Sequence, residues 1–247
     1  MKNMKNMKTL YLLPMLLGAL ALAQDCPSDC DKPCCEAQDC CESLAVARQE
    51  IANAKSETKK LGKDERAALA DAEKIALANT ASGKALAPTF GAAADLLHVA
   101  GTLRAENEKE CALLKELEAT YRAVARELAG KESYPAPAEG DGEALAKAVA
   151  AHAKAKELWA AARSEKEKGT PEDAKAWRLV KNGSPLYRAL AVNLLAANDA
   201  MKALDCSDAE AACSKAIAAV GELNTLLAPA FDGVKTEKPA APAPAPT

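Results

Sequence analysis

Apolar residues recur every three or four positions through most of the chain, and no stretch alternates as a half-buried strand would. The first stripe is Leu44, Ala47, Ile51, Ala54, Thr58 and Leu61, with Gly62 placed to end that helix. Asp64 can cap a second helix reaching about residue 78 and carrying Leu69, Ala72 and Ile75. The two can also merge into one bent helix. Ser82 and Gly83 make the next expected break. The longest pattern starts near Pro88 and stops at Gly130. Its register is Leu96, Ala100, Leu103, Asn107, Glu110, Leu114, Leu117, Tyr121, Val124 and Leu128, the alternation of a coiled-coil seam. Asn107 and Glu110 interrupt it, either setting register or lying open to water. Some forty residues of helix would be ~60 Å long and would need partners throughout. Gly91 and Gly101 are positions where such a helix bends or starts late.

Residues 131–142 read as a loop. Residues 143–168 read as a helix with Leu145, Val149, His152 and Trp159 along one side. Thr170-Pro171-Glu172-Asp173 is a helix start: a capping hydroxyl, proline in the first turn, acids against the dipole. That helix stops at Asn182-Gly183, and Ser184-Pro185 repeats the device. Tyr187, Leu190, Leu194, Ala197, Met201 and Leu204 form the next stripe. Ser207 with Glu210 makes a capping box for a last helix carrying Cys213, Ala216, Val220, Leu223 and Leu227, which stops at Pro229. The expected fold is all-α: an elongated antiparallel bundle of helical hairpins with coiled-coil-like seams and disordered termini.

Composition sharpens this picture. Aromatics are only 3%, and much of the apolar fraction is alanine, which favours helix but buries little area. Helices with a shallow core are expected, rather than an enzyme with a deep pocket. The formal net charge of −3 gives no electrostatic case for binding nucleic acid. Lys2, Lys5 and Lys8 precede an apolar run over residues 10–22, and Ala21-Leu22-Ala23 is an A-x-A cleavage site. Residues 1–23 therefore read as a signal peptide, leaving no transmembrane span after cleavage, because the run is short for a bilayer that needs ~20 residues. The expected location is the periplasm, cell envelope or extracellular space. The remaining units are an acidic cysteine-rich segment at 24–42, a helical hairpin region at 43–130, a linker at 131–142, a helical region at 143–234 and a disordered Pro-Ala tail at 235–247.

The distinctive chemistry lies in residues 26–41, which hold Cys26, Cys30, Cys34, Cys35, Cys40 and Cys41. An exported chain meets an oxidising compartment, so disulfides are the expected state, with these six and Cys111, Cys206 and Cys213 as candidates. Nine cysteines is an odd number, so at least one stays free or pairs between chains. Bonds within Cys34–Cys35 or Cys40–Cys41 would strain peptide and disulfide alike. The alternative is thiolate binding of Zn²⁺ or Cu(I) by the six clustered cysteines. Their spacing does not match the C-x2-C pairs of common zinc sites, and the acids nearby oppose thiolate formation. Otherwise no cofactor is expected. His98 and His152 each lie in a helical apolar pattern without a visible partner, and Trp159 and Trp177 read as packing residues. No phosphate loop, nucleophile elbow or metalloprotease motif is present. The expectation is an exported, non-enzymatic protein acting through its helices on an unknown protein partner or on itself.

Overall fold

The computed structural model describes residues 35–103, 108–138, 140–165, 169–203 and 211–234. Among these residues the chain is all-helical, with no strand. The helices are α1 (Cys35–Lys60), α2 (Lys63–Asn79), α3 (Ala81–Leu103), α4 (Glu108–Ala129), α5 (Asp141–Glu165), α6 (Pro171–Gly183), α7 (Pro185–Ala203) and α8 (Ala211–Leu227). A 3-10 turn at Ala228–Ala230 follows.

The sequence of α3 explains its place at the centre. Lys84 and Asp95 are its only charged residues apart from His98, and the rest is small or apolar on every side. A helix of that composition is buried all round. Leu86, Phe90, Leu96, Leu97 and Val99 are fully buried, with α4, α5 and α8 packed against them. One apolar cluster runs from Ala72 to Phe231, drawing on both sides of the loop after α4.

The expected forty-residue helix is in fact two helices. α3 stops at Leu103, α4 starts at Glu108, and the two pack on each other. Asp95 meets Arg122, His98 meets Glu118, and Gly101 lies against Leu114. Numbers rise along α3 as they fall along α4, so the chain folds back between them. The seam positions are nonetheless on the inner face: Leu96, Ala100, Leu114, Leu117, Tyr121 and Val124 are buried, with Leu103 and Leu128 half-buried beside them. Folding back lets the two halves of the pattern bury each other. Asn107 lies outside the described residues.

The glycines correct two boundaries. The break falls at Thr80, not at Ser82 and Gly83, which lie in the first turn of α3. The Thr80 hydroxyl accepts from the Gly83 N–H at 3.0 Å. A Cβ on Gly83 would collide with the Ala76 carbonyl, so glycine is needed here for close approach rather than to stop a helix. Gly62 opens α2 instead of closing α1: its N–H donates to Glu65 Oε2 at 2.8 Å. α1 and α2 stay separate, broken at Leu61-Gly62.

α5 faces the core by a side that shares His152 and Trp159 with the expected stripe and is otherwise lined by alanines. Ala144, Ala148, His152, Ala155, Trp159 and Ala162 are buried, whereas Leu145 and Val149 are half-buried. Alanines on the inner face allow α5 to approach α3 closely. At the α6 start the expected cap is present in full. Thr170 Oγ1 accepts from the Asp173 N–H at 3.1 Å, and the Asp173 carboxylate accepts from the Thr170 N–H at 3.0 Å. Ser184 opens α7, but its hydroxyl turns to Glu73.

α1 begins at Cys35, upstream of the compositional shift at Ser43, and lies along α7. Ala47, Val192 and Ala196 form a small cluster apart from the main core. Arg188 pairs with Glu57, and Arg48 pairs with Glu116 on α4.

Candidate functional site

Of the nine cysteines, Cys26, Cys30, Cys34 and Cys206 lie outside the described residues. Cys35, Cys40 and Cys41 stand on the first turns of α1, and Cys111 stands on α4. Cys213 is fully buried in the main core on α8, as its position in an apolar stripe implies. Among the described residues no group of three or more His, Cys, Asp or Glu is arranged to hold a metal ion.

Both histidines acquire carboxylate partners from another helix. His98 Nδ1 lies 3.0 Å from Glu118 Oε2 on α4. Glu118 also accepts from Arg122, whose guanidinium reaches Asp95 at 2.9 Å and the Pro135 carbonyl at 2.8 Å. This network therefore joins α3, α4 and the following loop. Burial raises the Asp95 carboxyl, and Arg122 works against that rise. The loop is fixed from its other side by Tyr134, whose phenol lies over Gly91 where a side chain would collide. His152 Nε2 lies 3.0 Å from Glu222 Oε2 on α8, and Lys156 shares that carboxylate at 2.5 Å. Hydrogen bonds from Lys156 and His152 lower the Glu222 carboxyl. The His152 ring is buried, and its Nδ1 has no hydrogen-bond partner among the described residues. These are clamps between helices. Neither brings a nucleophile beside a base, which acyl transfer requires.

A third cluster has no signature in the sequence. Glu73 of α2 is bonded by Ser184 at the α7 start, and its charge acts on Glu127 of α4 and on Tyr187 of α7, while Lys55 of α1 also acts on Glu127. Ser184 Oγ donates to Glu73 Oε1 at 2.8 Å. Burial raises the Glu73 carboxyl, and this hydrogen bond lowers it. Glu127 Oε2 is shielded from solvent without a hydrogen-bond partner among the described residues. Burial pushes the Glu127 carboxyl up to about 7, with Lys55 and Arg126 opposing the shift and Glu73 adding to it. The Tyr187 Oη is likewise sealed and unpartnered, and burial and then Glu73 raise its phenol. On the sequence, Glu73 and Glu127 look like two more acids on solvated helices. Nothing in a helical stripe marks which acid a neighbouring helix will cover.

The surface adds one hollow of about 410 Å³ along α2, lined among the described residues by Asp71, Lys74, Ile75, Ala78 and Asn79. Among the described residues no helix is long and apolar enough to cross a membrane. No family model, no curated protein and no solved structure matches this chain.

Proposed function

We propose that this protein is an exported, non-enzymatic helical scaffold that acts through its helix surfaces, on a partner protein or on a second copy of itself. Its body is read as an elongated antiparallel bundle, and residues 24–42 as a disulfide-stapled segment at one end. One observation supports this most: α1 runs unbroken from Cys35 to Lys60 along α7, so the cysteine-bearing segment is continuous with a helix docked on the body. The polar clusters point the same way, since their charges join helix to helix rather than converge on a substrate cavity.

The helical start of α1 also limits how a staple can close. On regular helix geometry Cys35 stands about 9 Å from Cys40 and about 10 Å from Cys41, Cα to Cα. A disulfide spans Cα separations of roughly 4.4–6.8 Å. Adjacent Cys40 and Cys41 cannot bond without distorting the helix. Bridges from these three would therefore run to Cys26 or Cys30, from Cys40 or Cys41 also to Cys34, or to Cys111, Cys206, Cys213 or another chain.

Alkylation without reductant, then Asp-N digestion, tests the reading on the exported protein. Cuts before Asp25, Asp29, Asp31 and Asp39 place Cys26, Cys30, the Cys34–Cys35 pair and the Cys40–Cys41 pair on four peptides. Linked peptides joining these are expected, with a mature N-terminus at Gln24. Reduction should leave the helical signal unchanged, because short loops outside the core contribute mainly to local order. Six alkylated cysteines with Zn²⁺ or Cu(I) co-purifying would replace the staple with a thiolate metal site.

A further inference from the structure

The loop after α4 lies on the body as a bound peptide would. Among the described residues, 132–138 make no backbone–backbone hydrogen bond. Two side-chain contacts fasten them instead. The Tyr134 ring sits on Gly91 of α3, at the spot a Cβ there would fill, and Gly91 is buried. Arg122 Nη1 donates to the Pro135 carbonyl at 2.8 Å and lies 3.5 Å from the Tyr134 carbonyl. Asp95 and Glu118 grip the same guanidinium at 2.9 Å and 3.0 Å, so α3 and α4 set its direction before the loop arrives. Around these contacts Ser133, Pro135, Ala136 and Ala138 stay exposed. A notch for one ring, beside a preset donor for the carbonyls that follow, suits an extended proline-bearing segment. The ring supplies buried area, and proline lowers the entropy lost on ordering.

We propose that Gly91 and Arg122 form a recognition slot for an extended aromatic-proline segment, filled in cis by Tyr134-Pro135 and open to the same kind of segment from a partner protein. The slot rests on the partner reading above only for the source of that segment. Tyr134-Pro135 is the only aromatic-proline step in the chain, and the Pro-Ala tail at 235–247 holds no aromatic residue. A second copy offers only its own Tyr134, already seated, so the competing segment belongs to another protein. The tethered loop acts at an effective concentration on the order of 1 mM, which a partner segment must outcompete.

The probe is the end-blocked hexapeptide Ser-Tyr-Pro-Ala-Pro-Ala, the sequence of residues 133–138, added to the full chain. Tyr134→Ala empties the slot and should bind the probe about tenfold more tightly than wild type, whose own loop competes. Adding Gly91→Ala to Tyr134→Ala puts a methyl where the ring sits and should return the affinity to the wild-type level or below. The same peptide with alanine in place of tyrosine should bind none of the three proteins. In wild type, millimolar probe should speed Glu-C cleavage after Glu132 several-fold by lifting the loop, a readout that needs no variant to fold. Equal affinity in Tyr134→Ala with and without Gly91→Ala, or cleavage unmoved by the probe, would overturn the slot. Probe binding with no partner protein in the exported fraction would uphold the slot and remove the partner reading, so the two failures are distinct.

Discussion

α3 and α1 are helices of similar length, of 23 and 26 residues, held by different physics. α3 is nearly free of charge and buries most of its residues, with small ones where neighbours come closest. α1 is polar, and among its described side chains only Ala47 and Ala54 are buried. What fastens α1 at its edges is the pairing of Glu57 with Arg188 and of Arg48 with Glu116. Burial of apolar area is worth roughly 25 cal/mol per Å², whereas an exposed ion pair is worth about 0–1 kcal/mol. The core is therefore organised by α3, whereas α1 lies along α7 and adds little buried apolar area among its described side chains.

Substitutions can break this contrast, beginning with the largest effect. Leu117 is fully buried on the α4 face that meets α3, and Leu117→Ala should cost about 2–5 kcal/mol in denaturant unfolding. A cost below ~1 kcal/mol would mean that this face is not core. Gly83→Ala comes next. Helix propensity alone favours alanine by about 1 kcal/mol. The collision with the Ala76 backbone should reverse that sign and destabilise by roughly 1–3 kcal/mol. Gly91→Ala should cost less than Gly83→Ala, because it meets the end of the Tyr134 side chain rather than backbone. Arg48→Ala and Arg188→Ala should each shift global stability by at most about 1 kcal/mol, with an effect that shrinks in high salt. A larger loss from either would raise α1 to the rank of α3.

The contrast also marks what the amino-acid pattern conveys. Helix content, the cap at Thr170 and the seam face through Leu114, Leu117, Tyr121 and Val124 were legible, because periodicity and capping are local. The fold-back between α3 and α4 was not. A continued 3–4 pattern looks the same whether its partner is another chain or its own second half. The inner face of α5 is legible only in part: His152 and Trp159 mark it, but the alanines that complete it carry no large apolar signal. Gly83 looks like a helix breaker in the sequence, whereas its role is close contact with Ala76. The burial of Glu73 and Glu127 leaves no mark in the pattern for a similar reason, since burial of an acid is decided by helices distant in sequence. Cys213, expected as a disulfide candidate, is buried in the core, and its place in the α8 stripe is the signal for that burial.

The central claim is that α3 and α4 fold back on each other rather than form one long helix, and a single distance decides it. Lys84 lies exposed in the first turn of α3, and Lys131 lies exposed just after α4. Nitroxide-bearing noncanonical residues at these positions leave the native cysteines untouched, and pulsed electron–electron double resonance reads the separation. Helices packed 8–10 Å apart predict a distance below roughly 25 Å once label length is included. A continuous helix over the same 84–131 span would give about 70 Å and would contradict the fold.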